Sequence, residues 1–276
     1  MAALGRRRWI VNADDFGVSA SVNAAVRDAH DRGVLTSASL LVNGAGFEEA
    51  VEIARARPGL GVGLHLALVQ SAATLPAARI PGLVDWRGRF PESGFRTGWR
   101  YWQDRRLRPE LEAEIGAQFE RFHSTGLTLD HLDGHLNLHL HPVVFDLLMV
   151  NRDRWRIRHM RLVRDPLRHN LRLASGRLLS RVLLATAFGA LARRAAPRLA
   201  AAGIRHPDSV YGLLQSGRVD EPYLLRLLAT LPEGDHELYC HPDLAPPRTE
   251  FEALVSPLVR QALVDKGVTL IRYQDL

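Results

Sequence analysis

The chain has 276 residues, 46% of them hydrophobic, which is sufficient for a buried core and fits one α/β barrel domain spanning residues 1–276. The net charge of +6 comes almost wholly from arginine, and because no aromatic-basic motif or DNA-binding module accompanies it, we expect no nucleic acid partner. The single cysteine, Cys240, excludes an intramolecular disulfide and a thiolate metal cluster, so any metal would need histidine and carboxylate ligands.

Short β-like runs alternate with helical patterns along most of the chain. The predicted strands are residues 8–13, 37–42, 61–68, 127–141, 157–163, 209–214, 236–241 and 268–272. The first helix should begin after Ser19, a good N-cap, and end at Gly33, a good C′ glycine. Such alternation indicates parallel strands with crossover helices, and about eight strands favour a TIM-like, distorted (β/α) barrel over an open sheet. The active site should then lie at the carboxyl ends of the strands.

Two segments do not fit the repeat. Residues 70–107 are long and aromatic, with no helix or strand of their own expected, and they either form a substrate wall over the barrel mouth or pack onto the barrel. Residues 171–203 form an apolar, arginine-studded helical insertion, which is either an amphipathic hairpin packed on the barrel or an interfacial helix that contacts lipid. Arginines and Pro197 interrupt its apolar run, so we predict no membrane-spanning helix. The amino terminus lacks the apolar run of a signal peptide, which predicts a cytoplasmic protein.

The first predicted strand ends in two adjacent carboxylates, Asp14 and Asp15. Burying two carboxylates at a strand end is costly unless a cation or hydrogen bonds compensate them. Because neighbouring side chains point in different directions, one carboxylate can bind a metal while the other faces the bound water. The alternative is that one of the two only caps the following helix.

Histidines stand on three later predicted strands. His65 is alone in an apolar run, where a histidine buried in the core is the simpler interpretation, and His241 ends the strand that contains Cys240. The strand 127–141 has a polar residue at every odd position from 131 onwards, which predicts one polar face. That face consists of His131, Asp133, His135, Asn137, His139 and His141. Since a strand rises about 3.3 Å per residue, at most two of these side chains can bind one ion, and the others line a groove or support the ligands.

Five motifs in this order resemble those of the YdjC-like carbohydrate deacetylases, which include chitooligosaccharide deacetylases and the hopanoid-biosynthesis protein HpnK. The motifs are residues 12–17 (NADDFG), 36–43 (TSASLLVN), 63–66 (GLHL), 133–135 (DGH) and 240–242 (CHP). The resemblance covers nearly the whole chain and implies a (β/α) barrel with one divalent metal ion.

The resemblance also implies a role for each site residue. The metal ligands would be Asp15, His65 and His135. Asp14 would be the general base and His241 the general acid. Many relatives have histidine at the position of Asn137, so the resemblance assigns no ligand there and leaves His139 without a role.

The chemistry of amide hydrolysis agrees with these roles. A metal ion with three protein ligands keeps positions open for water and for the acetyl oxygen. Asp14 would take a proton from the water, and His241 would deliver one to the leaving sugar nitrogen. Two histidines and one carboxylate favour Zn²⁺, with Mg²⁺ as the alternative.

Within the family, residues 133–142 and the apolar stretch 178–202 resemble HpnK. This resemblance implies that the substrate is N-acetylglucosaminyl bacteriohopanetetrol, a glycolipid, and that residues 171–203 contact the inner membrane peripherally. The alternatives are a chitooligosaccharide deacetylase and a barrel that binds sugar or metal without turnover. A metallophosphatase would need more carboxylates or a bridging ligand for two ions. The complete set of base, metal ligands and acid favours the deacetylase.

Overall fold

Seven parallel strands form one curled sheet in the computed structural model, which describes residues 6–176 and 178–276. The strands are β1 (Arg7–Phe16), β2 (Ser37–Leu40), β3 (Gly61–Leu66), β4 (Leu132–Gly134), β5 (Ser209–Tyr211), β6 (Gly234–Cys240) and β7 (Val268–Leu270). Their order is β4-β3-β2-β1-β6-β5, and β7 pairs with β1. The predicted parallel arrangement is confirmed.

Helices connect the strands, as the alternation predicts. They are α1 (Ala20–Arg32), α2 (Phe47–Arg55), α3 (Gly94–Gln103), α4 (Arg108–Ser124), α5 (Pro142–Val150), α6 (Leu167–Asn170), α7 (Leu178–Ala201), α8 (Glu221–Thr230), α9 (Thr249–Val255) and α10 (Pro257–Asp265), with short 3-10 helices at Ala77–Arg79, Arg105–Leu107, His135–Leu140 and Tyr273–Asp275. The hydroxyl of Ser19 accepts a hydrogen bond from the backbone N–H of Val22 at 3.3 Å, and α1 ends before Gly33. Both predicted boundaries of α1 are therefore confirmed.

The central strand is β1, whose apolar residues are buried on both faces of the sheet. One edge of β1 pairs with β6 along residues 7–13. The other edge is divided, because residues 7–9 pair with β7 while the pairing with β2 begins at Asn12. A strand of ten residues is long enough for both neighbours, and its carboxyl end places Asp14 and Asp15 beside the ends of β2 and β6.

Between β4 and β5 the sheet is closed by an irregular segment. Residues 157–163, predicted as a strand, form isolated bridges instead. The backbone N–H of Arg161 donates to the carbonyl of Leu132 in β4 at 2.9 Å, and the carbonyl of Arg164 accepts from Val210 in β5 at 3.0 Å. The distorted TIM-like barrel predicted from the sequence is thus confirmed. The barrel is distorted at residues 157–163, which we call the seam.

The strand predicted at residues 127–141 is wrong in its extent. Only Leu132–Gly134 is a strand, and the chain then turns into the 3-10 segment His135–Leu140. Leu136 and Asn137 lie in the left-handed region at φ 51° and 56°. Asparagine tolerates this conformation, whereas leucine adopts it only when the surrounding structure holds it there. The polar residues of this stretch therefore do not share one face.

The structure also corrects the two segments outside the repeat. Residues 70–107 contain the helix α3, which begins after Ser93, whose hydroxyl accepts from the backbone N–H of Arg96 at 3.4 Å. Residues 171–203 do not form a hairpin, because α7 is one helix that includes Pro197. None of the helices in the described ranges combines the length and the apolar character that a membrane span requires.

Candidate functional site

The three predicted metal ligands meet at the carboxyl ends of their strands. Oδ1 of Asp15 lies 3.0 Å from Nδ1 of His135 and 3.4 Å from Nε2 of His65. One ligand atom from each residue lies within 4.8 Å of the others. Two imidazole nitrogens and one carboxylate oxygen at this spacing fit a divalent ion with open positions. This cluster is the strongest candidate for a metal centre in the described part of the chain.

A buried carboxylate orients His65. Nδ1 of His65 lies 2.8 Å from Oδ1 of Asp133, and both side chains are buried. Burial lowers the pKa of His65, but Asp133 and Asp15 outweigh it, and the pKa lies well above the usual value. In this hydrogen bond the Nδ1–H of His65 donates to Asp133 and turns Nε2 toward Asp15, which is the arrangement that metal-binding histidines use. The negative charge that raises this pKa would also attract a cation.

Asp15 turns its carboxylate into the cluster through an unusual backbone conformation. Its φ is 61°, in the left-handed region, at the irregularity in the pairing of β1 with β2 between Ala13 and Phe16. Burial raises the pKa of Asp15, but hydrogen bonds with His135 and His65 outweigh burial and hold the pKa well below its usual value. The carboxylate is therefore ionised at neutral pH, as a metal ligand must be.

The Asp14 carboxylate is held in a buried ion pair beside the cluster. Its two oxygens accept from Nη1 and Nη2 of Arg161 at 2.8 and 2.7 Å. Oδ1 also accepts from Nδ2 of Asn12 at 2.9 Å. Since Ser19 caps α1, neither carboxylate serves as the cap that was the alternative interpretation.

Arg161 is the site residue that sequence reasoning missed. It is fully buried, and besides Asp14 it pairs with Asp133 at 2.8 Å and with Glu237 at 2.7 Å. Its guanidinium carbon lies 4.5 Å from the centre of the Tyr239 ring. Burial lowers the pKa of Arg161, but the carboxylates outweigh it and keep the side chain charged. The chain contains many arginines, and the sequence around Arg161 does not distinguish it from the others.

This arginine also decides between two candidate metal clusters. Asp14, His65 and Asp133 form a second group whose ligand atoms lie within 4.8 Å of one another. Both carboxylates of that group are already neutralised by the Arg161 guanidinium. The cluster of Asp15, His65 and His135 lacks such a cation and is the better metal site.

A network of buried, hydrogen-bonded side chains supports the cluster. The hydroxyl of Ser39 donates to Oδ2 of Asp133 at 2.8 Å and accepts from Nδ2 of Asn12 at 2.7 Å. Nε2 of His131 lies 3.0 Å from the same hydroxyl, and its Nδ1 lies 3.0 Å from Oδ2 of Asp130. His131 is thus a buried supporting residue, and Ser39 gives a structural reason for the motif at residues 36–43.

The remaining polar residues after β4 have other surroundings. His139 is fully buried, and its Nε2 lies 2.9 Å from the carbonyl oxygen of Arg161. Burial lowers the pKa of His139 to about 4, so the neutral ring donates to that carbonyl and fixes the backbone of Arg161. His141 lies outside the cavity described next, in a groove beside α3. Neither histidine lies in a metal cluster of the described residues.

One cavity of about 470 Å³ contains both predicted proton-transfer residues. Its lining is Asp14, His65, Gly94, Phe95, Gly134, His135, Leu136, Asn137, Leu138, Arg181, Leu184, Phe188, Leu213, Ser216, Tyr239 and His241. The ring of His241 is partly exposed, and its Nδ1 lies 4.0 Å from Oε2 of Glu250. Apart from Arg181, the residues that α3 and α7 contribute to the lining are apolar, so the cavity has a polar side and a largely hydrophobic side.

The fold and this cluster define a parallel (β/α) barrel with a histidine and carboxylate site suited to a divalent ion. The YdjC-like protein family matches residues 8–265, and the chain belongs to this family. The five motifs recognised in the sequence therefore indicated the correct family.

Several relatives are known by name. The chain is 40% identical to a carbohydrate deacetylase of Brevibacillus brevis over 153 residues, which is 54% of this chain and 57% of that protein. It is 29% identical to a chitooligosaccharide deacetylase of Serratia marcescens over 271 residues, or 97% and 98% of the two chains. The match to the first relative thus spans less than two thirds of its length, whereas the match to the second is nearly complete.

A solved structure resembles the whole fold. A protein of Enterococcus faecalis V583, assigned to cellobiose-phosphate cleavage, superposes with a TM-score of 0.74 and 25% identity. The match covers 98% of both chains. The distorted barrel is therefore shared over its full length.

Proposed function

We propose that the protein is a metal-dependent hydrolase that removes the N-acetyl group from a GlcNAc-containing substrate. The observation that carries this proposal is that Asp15, His65 and His135 form a metal-type cluster in the cavity that also contains Asp14 and His241. The names of the Brevibacillus and Serratia relatives support the same reaction class.

The metal ion would be held by Asp15, His65 and His135, and when bound it would stabilise negative charge on the acetyl oxygen. Two imidazole ligands favour Zn²⁺, with Mg²⁺ as the alternative. All other steps belong to the side chains of the protein. The cavity provides one base and one acid for them.

Asp14 is the proposed base. Arg161 keeps its carboxylate in place, and each carboxylate oxygen can accept two hydrogen bonds. Oδ1 already accepts from Arg161 and Asn12, whereas Oδ2 accepts only from Arg161 among the described residues. Oδ2 therefore retains an acceptor site for the proton of the attacking water.

His241 is the proposed acid. Its partly exposed ring lines the same cavity as Asp14, and its Nδ1 lies 4.0 Å from Oε2 of Glu250. A protonated imidazole would pass its proton to the sugar nitrogen as the amide bond breaks. Acetate and a free amine are then the products.

For the substrate, we propose N-acetylglucosaminyl bacteriohopanetetrol. The apolar wall of the cavity, with Phe95, Leu184 and Phe188, supports a sugar that carries a hydrophobic aglycone. On α7, Leu179 and Leu183 are 79% and 66% exposed, which supports peripheral contact of residues 171–203 with a membrane surface. The resemblance to HpnK points to the same substrate.

A chitooligosaccharide is the second candidate, because the Serratia relative that matches nearly the whole chain bears that name. Mass spectrometry of acetate release from the GlcNAc-hopanoid and from diacetylchitobiose, with and without a chelator, separates the candidates. Chelator-sensitive release from the hopanoid supports the proposed substrate, and release from chitobiose alone supports the second. No release from either, or release that chelation leaves unchanged, would contradict the proposed function.

A further inference from the structure

The helix α3 carries an apolar stripe that does not face the core. Its buried residues are Thr97 and Tyr101, and the Tyr101 hydroxyl donates to the carbonyl of Leu68 at 2.8 Å. Phe95, Trp99 and Trp102 follow one another at helical spacing along another side and are 84%, 51% and 56% exposed. Contiguous exposed aromatic residues on one helix are typical of a binding surface.

Two glycines hold α3 close to the segment after β4. A Cβ atom at Gly94 would lie 2.8 Å from Cδ1 of Leu136, so an alanine there would require a shift, whereas one at Gly98 would make ordinary contact with His141 at 3.6 Å. This close approach leaves a groove of about 480 Å³ beside the aromatic stripe. Its lining is Gly94, Phe95, Gly98, Trp99, Trp102, Leu138, His141, Pro142 and Arg194.

The groove is continuous with the catalytic cavity. Gly94, Phe95 and Leu138 line both spaces. The helix α7 contributes to both as well, with Phe188 in the cavity and Arg194 in the groove. A ligand that extends from the cavity past Phe95 would therefore reach the two tryptophans.

We propose that this groove binds the hydrocarbon part of the substrate while the sugar occupies the cavity. This inference rests on the proposed function, which places a sugar beside Asp14. The polar side-chain groups in the lining are those of His141 and Arg194 and the indole N–H groups of Trp99 and Trp102, which are few for the hydroxyl groups of further sugar rings. The rings of Trp99 and Trp102 lie 5.3 Å apart at 49°, and together they present an angled apolar surface.

The test uses butyl, octyl and dodecyl glucosaminides, the amine products of the proposed reaction, below their critical micelle concentrations. Calorimetry with the metal-loaded protein measures the dissociation constant for each chain length. We expect binding to tighten about fourfold for each methylene that the groove buries. The double variant Trp99→Ala/Trp102→Ala should lose most of this dependence on chain length.

Trp86→Ala is the matched control, because Trp86 is 82% exposed and lies outside both linings. Equal chain-length dependence in the wild type, the control and the double variant would overturn the proposal. So would a double variant that weakens binding of chitotetraose but not of the dodecyl glycoside, since the groove would then be a sugar site. Chain-length-dependent binding without any acetate release would overturn the proposed function and leave the groove assignment standing.

Discussion

Arg161 and Asp14 form a buried two-point ion pair, with nitrogen to oxygen distances of 2.7 and 2.8 Å. The same guanidinium also neutralises Asp133 and Glu237. Burial raises the pKa of Glu237 although Arg161 and the Tyr273 hydroxyl lower it, which shows how costly this buried charge is even with its partners. One cation therefore holds together carboxylates from three different strands, and the proposed base is one of them.

Removing this cation should destabilise the protein and inactivate it. Arg161→Met leaves buried carboxylates without compensation, which typically costs about 3–5 kcal/mol in the free energy of unfolding. Arg161→Lys should recover only part of the loss, because an ammonium group lacks the planar fork. Denaturant unfolding measures both variants. Arg158→Met is the control, since Arg158 is 65% exposed. Equal stability of Arg161→Met and the control would contradict the structural role of Arg161.

The metal assignment predicts that each ligand is necessary. Asp15→Ala, His65→Ala and His135→Ala should each lose most of the bound metal, because two remaining ligands hold an ion weakly. Elemental analysis of purified variants provides the measurement. His123→Ala on α4, outside both clusters, should keep its metal. A full complement of metal in His135→Ala would remove His135 from the site.

Proton transfer should be separable from metal binding. Asp14→Asn and His241→Ala should keep the metal and lose about 10²- to 10⁴-fold in turnover. Steady-state rates and metal content are measured on the same preparations. Wild-type rates in either variant would mean that another group is the base or the acid. Loss of metal from Asp14→Asn would instead favour the cluster of Asp14, His65 and Asp133.

The two sides of α7 should have different functions. Leu184 and Phe188 line the cavity, whereas Leu179 and Leu183 do not and are largely exposed. Leu184→Ser/Phe188→Ser should lower kcat/KM for the glycolipid about tenfold or more and change little with a short soluble GlcNAc glycoside. Leu179→Ser/Leu183→Ser should mainly weaken sedimentation with anionic liposomes. Equal losses on both substrates would indicate a purely structural helix.

Stability should depend on pH through Asp165. Burial raises the pKa of Asp165 to about 7, despite hydrogen bonds from Nδ2 of Asn170 at 2.9 and 3.0 Å. In the unfolded chain the pKa of an aspartate side chain is about 3.9. The pKa of Asp165 is higher in the folded protein than in the unfolded chain. Its contribution to the free energy of unfolding is therefore fully present below about pH 4 and is lost as the pH rises through about 7. Compared with Asp165→Asn, the wild type should therefore lose stability over this range.

Denaturant unfolding at several pH values measures the difference between these two proteins. The control is Asp153→Asn, whose carboxylate is 70% exposed and whose slope should equal that of the wild type. Parallel curves for the wild type and Asp165→Asn would show that Asp165 stays ionised in the folded protein.

Local signals in the sequence indicated a metal site at the strand ends, and the resemblance to the YdjC-like family supplied the choice of Asp15, His65 and His135 as its ligands. Adjacent carboxylates at a strand end and a histidine within an apolar strand each stand out over a few residues, and the parallel strands bring them together. Arg161 could not be predicted in this way. Its partners Asp14, Asp133 and Glu237 are far away in sequence, and only the closed barrel brings them into contact.

The errors in the fold have similar causes. The alternation of polar and apolar residues after His131 looks the same in the sequence whether the chain continues as a strand or turns. The turn depends on the left-handed backbone conformations of Leu136 and Asn137. The helix α3 was missed because Gly94 and Gly98 are poor helix formers. The close approach of Gly94 to the Leu136 side chain after β4 is a tertiary contact, which the local sequence does not show.

The irregular seam of the barrel has a consequence for how the protein opens. The residue that bonds the seam to β4 through its backbone is Arg161, and its side chain compensates the buried carboxylates. Separating the seam from β4 would therefore expose uncompensated charges inside the barrel at the same moment. An irregular segment would ordinarily be a place for local fluctuations. Here partial opening carries the cost of those buried carboxylates, so the irregular pairing is coupled to the ion pairs inside the barrel.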